Sequence, residues 1–144
     1  MARERPDLGV LLHRLTSTVA QREQPLLRAH QIEMWDYVVL GGLEHGPAPT
    51  QAQLAASVGR DKTRLITILD RLEARGLLCR EPDPGDRRNR VVTLTDAGRS
   101  LLLDCRRDIR AMEADLLSTV GAADRTAFIR VLSGLVESTR DHES

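Results

Sequence analysis

Aromatic side chains are nearly missing from this chain. Trp35, Tyr37 and Phe128 are the only ones in 144 residues, which excludes a core of stacked rings. Packing falls to Leu, Val, Ile and Ala, which favour packed helices where their spacing allows. Cysteine is almost as scarce, and Cys79 and Cys105 form neither a CxxC pair nor a disulfide framework. The four histidines, His13, His30, His45 and His142, include no pair at the i, i+4 spacing of helical metal ligands, so no metal is expected. No apolar run approaches the length of a membrane span and no signal peptide is recognisable; both absences point to the cytoplasm. There is no nucleophile elbow, no phosphate loop and no convincing carboxylate pair, which argues against an enzyme and leaves no cofactor to expect. Net charge is also missing: the formal value is zero, so the chain is not a polyelectrolyte as a whole.

The charge that is present is unevenly placed. Residues 1–58, 59–91 and 92–144 carry balances of −1, +3 and −2. A basic middle between acidic flanks fits a local anion-binding surface on a globular body. Lys62 is the only lysine, and arginine forks suit phosphate better than a point charge does. The length implies one domain, or one domain with an appended dimerisation element.

Helical periodicity comes first along the chain. Leu8, Leu11, Leu12, Leu15 and Val19 share one face over 7–24, and Pro25 is expected to break or kink that helix. A second helix is predicted over 33–45, apolar on several sides through Met34, Trp35, Val38, Val39 and Leu43. Thr50 and Gln53 form a capping box for a short helix ended by Gly59. Asp61 caps the next, whose buried face is Leu65, Ile68, Leu69 and Leu72, with Gly76 just past its end. The period then changes to two: 77–81 and 90–95 read as strands joined by a long Pro- and Gly-containing tip. Thr95 and Asp96 cap a helix with an apolar seam through Leu102, Cys105, Ile109, Met112, Leu116 and Val120. Gly121 breaks it before a last helix holding Phe128, Val131, Leu132 and Leu135.

Two short helices with a tight turn, followed by a hairpin, predict an α+β, mostly α, winged helix-turn-helix. Its second helix can enter the major groove of double-stranded DNA. The candidate DNA-binding residues are Arg60, Lys62, Thr63, Arg64 and Thr67 around the start of that helix, and Arg87, Arg88 and Arg90 in the wing. Arg and Lys reach guanine O6 and N7, Thr reaches a base edge or a thymine methyl, and a helix N-terminus favours phosphate. The wing arginines would meet the backbone or the narrow, electronegative minor groove.

The pieces "QLAASVG", "DRLEARGLLCR", "DRR" and "LTDAG" occur in that order within residues 50–98. This run resembles the MarR (multiple antibiotic resistance regulator) family of transcription regulators. It covers about a third of the chain, and the flanking helices match the family layout. The resemblance implies a homodimer that represses transcription from pseudo-palindromic DNA and often lets go when a phenolic or anionic effector binds. It implies an N-terminal dimerisation helix in 1–30, the DNA-binding lobe in 31–98 and C-terminal dimerisation helices in 99–144. By match, Asp86 braces the wing and one of its neighbours contacts DNA, Arg88 ahead of Arg87. The effector would lie near His13, His30, Met34 and Trp35, and the regulator would associate with the nucleoid when bound to DNA.

The chain also departs from the family pattern. Arg64 and Ile66 stand where threonine is common, which implies a different operator preference. Few rings are available to stack on a phenolic effector. The reactive cysteine of the hydroperoxide-sensing branch has no counterpart in residues 1–30. Two alternatives remain at this point: a thiol-based redox sensor using Cys79 or Cys105, and a winged helix used only for protein–protein contact.

Overall fold

The computed structural model describes residues 4–140; His142 and the outer ends of the two terminal segments lie outside the described residues. The helices are α1 (Leu8–Ala29), α2 (Met34–Gly42), α3 (Gln51–Val58), α4 (Lys62–Ala74), α5 (Asp96–Leu116) and α6 (Ala122–Arg140), with strands β1 (Leu78–Pro82) and β2 (Arg90–Leu94) between α4 and α5. This is the expected α+β winged helix-turn-helix, mostly helical with a small antiparallel sheet.

Local chemistry explains most boundaries. Thr50 Oγ1 accepts from Gln53 N at 3.2 Å, and Gln53 Oε1 accepts from Thr50 N at 2.9 Å, a complete capping box. Gly59 closes α3 at φ +70°, a left-handed conformation that costs glycine little. Asp61 Oδ1 accepts from Arg64 N at 3.0 Å and caps α4. Thr95 Oγ1 accepts from Gly98 N at 3.0 Å and donates to Gly76 O at 2.6 Å, so one hydroxyl caps α5 and ties it to the end of α4.

Two elements end elsewhere than expected. Helix α1 does not end at Pro25 but runs through it to Ala29. A proline there removes a ladder hydrogen bond at a cost of ~3 kcal/mol; the burial of Leu27 just beyond it offsets that loss. The long apolar seam of α5 is also interrupted. A 3₁₀ turn at Leu117–Thr119 follows α5, and Val120 lies exposed beyond it. The strands are shifted slightly from their expected limits: Leu77 stays in the turn, and Pro82 pairs with Arg90 at the strand end, where a missing N–H is tolerated.

The chain divides into two compact units, Met1–Ile109 and Arg110–Ser144. In the first, Val39, Leu40, Leu54, Leu65, Leu69, Leu72, Leu78, Val92 and Leu102 form an aliphatic core from α2, α3, α4, both strands and α5. Gly98 is obligatory there, because a Cβ would sit 1.9 Å from Leu77 O. The wing base is tied to the residues before α3, where Val92 N donates to Pro49 O at 2.9 Å and Thr50 bridges Val91. Arg106 forks onto Glu44 at 2.6 and 2.7 Å, holding α5 to the end of α2. In the second unit, α6 fully buries no residue. Among the described residues no helix is long and apolar enough to cross a membrane.

Candidate nucleic-acid interface

Helix α4 sorts its residues by face. Leu65, Ile68, Leu69 and Leu72 are buried, whereas Lys62, Thr63, Arg64 and Thr67 are exposed on the other side. Core packing therefore fixes the azimuth of α4 and leaves a basic, hydroxyl-bearing first turn in solvent. The Asp61 carboxylate, already the cap, also lies 3.4 Å from Arg64 Nε. Arg60 is set apart from this group. Its guanidinium lies over the Trp35 ring, 4.1 Å from the centroid, and its Nε is buried without a hydrogen bond.

The three wing arginines are not equivalent. Arg88 donates through Nε and Nη2 to Asp86 at 3.1 and 3.2 Å, and its backbone N–H reaches the same carboxylate. These contacts hold the Asp86 carboxyl below the usual range. Arg90 Nη2 donates to Arg80 O at 3.2 Å. Arg87 is exposed and has no partner among the described residues. The brace made by Asp86 stays inside the tip: it grips Arg88 rather than joining wing to body. Of the two arginines expected to reach DNA, Arg88 is the one that Asp86 engages.

The residue that does join wing to body is Arg80, which sequence reasoning passed over. Its side chain is nearly buried, and Nη2 donates to Asp70 at 2.6 Å and Glu73 at 3.0 Å, both on α4, while Nη1 reaches Gln51 of α3. The Arg80 hydrogen bond depresses the Glu73 carboxyl and raises the guanidinium in turn. A signal existed. In β1, Arg80 alternates onto the same face as buried Leu78, and a cation on a core face requires acids nearby.

A cavity of about 480 Å³ opens between the C-terminal half of α1 and the start of α2. Met34 and Trp35 line it with Leu27 and Ile32, and Gln21, Gln24, Arg28 and Glu33 add polar groups. The other two expected ligand residues are elsewhere. His13 is exposed on α1, and His30 is bonded through Nε2 to Asp108 of α5 at 2.7 Å, which lowers the Asp108 carboxyl. Gln21, Gln24 and Arg28 could have been found from their spacing, which repeats with Leu27 along α1.

The α1–α2 corner beside this cavity is clamped onto α4. Buried Asp36 pairs with Arg71 and accepts from Glu33 N at 2.8 Å. Arg75 Nη1 donates to Gln31 O at 2.6 Å, and Gln31 itself sits at φ +61°, a strained conformation for a side chain of its kind.

The cysteines differ sharply. Cys105 is buried, and burial reinforced by Asp108 and Asp104 pushes its thiol up to about 11; Cys79 is exposed on β1. Among the described residues no cluster of His, Cys, Asp or Glu could hold a metal ion.

Known proteins share this fold. The model of the MarR family matches residues 30–89. The HTH-type transcriptional repressor NicR of Pseudomonas putida is 34% identical over 112 residues, covering 75% of this chain and 68% of NicR. The transcriptional repressor CouR, solved bound to a 23-mer DNA duplex, superposes with a TM-score of 0.81 at 28% identity, over 90% of this chain and 92% of that one. BpsR of Bordetella bronchiseptica, whose DNA binding is regulated by 6-hydroxynicotinic acid, gives 0.77 at 25% identity, over 90% and 93%. With a winged helix-turn-helix whose polar helix start and basic wing both face solvent, and with relatives of this similarity, the chain belongs to the MarR family of transcription regulators.

Proposed function

We propose that this regulator is a repressor that binds a pseudo-palindromic operator as a homodimer and is released by a small aromatic acid. The observation that carries the reading is the split of α4, with four buried aliphatics on one side and Lys62, Thr63, Arg64 and Thr67 exposed on the other. That first turn enters the major groove, where Arg64 and the threonines read base edges. The wing then lays Arg87 on the backbone or in the minor groove, with Arg88 and Arg90 as secondary contacts. The NicR and CouR similarities support repression and duplex binding.

The cavity is the effector site in this reading. Its volume suits a small molecule. Trp35, Leu27 and Ile32 offer apolar walls, and Arg28 with two glutamines offers partners for a carboxylate; BpsR and its ligand support the same chemical class. The dimer is supported by apolar residues left in solvent: Leu8, Leu11 and Leu12 on α1, and Phe128, Ile129, Val131, Leu132, Leu135 and Val136 on α6. These, more than the α5 seam, call for a partner, since Leu102, Cys105 and Ile109 are already buried within the chain. Residues 1–30 and 99–144 then serve association, and 31–98 serves DNA. The pushed-up thiol of Cys105 speaks against redox sensing there.

Selection of bound duplexes from a random pool tests this function, with sedimentation of the free protein alongside. Enriched inverted repeats and a dimer at micromolar concentration are expected. Failure to enrich any sequence, or a monomer at that concentration, rejects the proposal.

A further inference from the structure

We infer that Arg60 is a positioning residue that links the effector cavity to the DNA-reading helix and makes no contact with DNA itself. The inference rests on the reading of the cavity as an effector site. Arg60 lies in the turn between Gly59, which closes α3, and Asp61, which caps α4. By sequence it belongs with Lys62 and Arg64. By structure it does not: those two are exposed, whereas Arg60 is half-buried with its guanidinium stacked on Trp35. A guanidinium seated over an indole, with Nε buried, is committed to the protein and is poorly placed to reach a phosphate.

Trp35 has two duties. It lines the cavity together with Leu27, Ile32 and Met34, and it is the seat of Arg60. An effector that tilts or shifts the ring therefore changes the support of Arg60. The next residue is Asp61, whose carboxylate holds Arg64 N and so organises the first turn of α4. Displacement thus passes from ring to guanidinium to cap through adjacent residues, and ends at Lys62, Thr63 and Arg64. The device needs no long path through packed side chains, because the ring and the helix cap are separated by one residue's side chain and one peptide bond.

The test uses the full-length protein with Arg60→Met, which keeps bulk and loses the cation, and Arg60→Lys, which keeps charge and loses the guanidinium. Four quantities are measured: the salt dependence of binding to a selected duplex, the change in Trp35 emission when duplex is added, the factor by which 6-hydroxynicotinic acid weakens duplex binding, and the acid's own affinity, determined separately by calorimetry. Trp35 is the only tryptophan, so its emission reports this one site. The expected result is an unchanged salt slope in both variants, acid affinity within about threefold of the parent, and a coupling factor that falls from a typical ~5–150-fold to about one. The duplex-induced change in Trp35 emission disappears with it.

A slope reduced by about 0.9 per subunit in Arg60→Met and restored in Arg60→Lys marks a phosphate contact and overturns the inference. Coupling that survives in both variants also overturns it. If the acid does not bind the parent, the effector class is wrong, and the emission change decides the link: loss in Arg60→Met supports it, and persistence refutes it.

Discussion

Replacing Arg87 with alanine removes an exposed guanidinium that no group among the described residues engages. The same change at Arg88 removes one that Asp86 already holds through two hydrogen bonds. If Arg87 neutralises a phosphate in each half of a dimer, the variant loses two contacts. Each contributes ~0.9 to the slope of log affinity against log salt, so the slope falls by ~1.8. Across a fourfold rise in salt, from about 50 to about 200 mM, this is roughly one decade of affinity that the parent loses and the variant does not. Arg88→Ala leaves the slope within about half a contact of the parent, since its charge is largely compensated in place. Fluorescence anisotropy of a labelled selected duplex, titrated at several salt concentrations, measures both. A slope change in Arg88→Ala equal to or larger than that in Arg87→Ala refutes the assignment and shows that Asp86 surrenders its partner to DNA.

Other consequences are as direct. Gly98→Ala places a methyl on the Leu77 carbonyl and should cost roughly 3 kcal/mol, seen as a melting point lower by about 10 °C; a variant as stable as the parent contradicts the packing described. The carboxyls of Glu44 and Glu73 are depressed below their ordinary 4.5 by Arg106 and Arg80. The folded state therefore gains stability from them above that value and loses it as the pH falls through their lower folded values. Urea midpoints should drop on acidification below about that ordinary value, 4.5, and Glu44→Gln should flatten the drop while costing about 2 kcal/mol at neutral pH; parallel pH curves for parent and variant count against it. Iodoacetamide at neutral pH should alkylate exposed Cys79 and spare Cys105, whose thiol is pushed up to about 11; mass spectrometry showing Cys105 labelled in native protein ends that claim.

Features that depend on neighbours in the chain were legible before the structure. The Thr50–Gln53 box, the Asp61 cap and the glycines at 59 and 76 are set by spacings of a few residues, and the hairpin by its change of period. The exposed face of α4 followed from its buried one. What could not be read depends on pairs far apart in sequence. Asp36 meets Arg71, and Trp35 meets Arg60, only after α2 packs across α4 and the turn before it. Three arginines within four positions gave no means of telling which one Asp86 would hold; loop geometry decided it. Of the two outcomes expected at Pro25, the break does not occur, because the local rule gives the proline's cost and is silent on the packing of Leu27 that offsets it.

The attachment of the wing has a consequence for the grammar of an operator. Arg80 bolts β1 to α4, and Pro49 with Thr50 bolts β2 to the residues before α3. The distance from the start of α4 to the base of the wing is thus a constant of the fold, whereas the hydrogen bonds of residues 83–89 beyond it run within the tip itself. On the proposed reading, such a subunit should work as a caliper with one soft jaw. It should tolerate substitutions under the soft jaw, where groove width matters more than base identity. An inserted base pair between the two jaws should defeat it, because no hinge lies between them to absorb the added length.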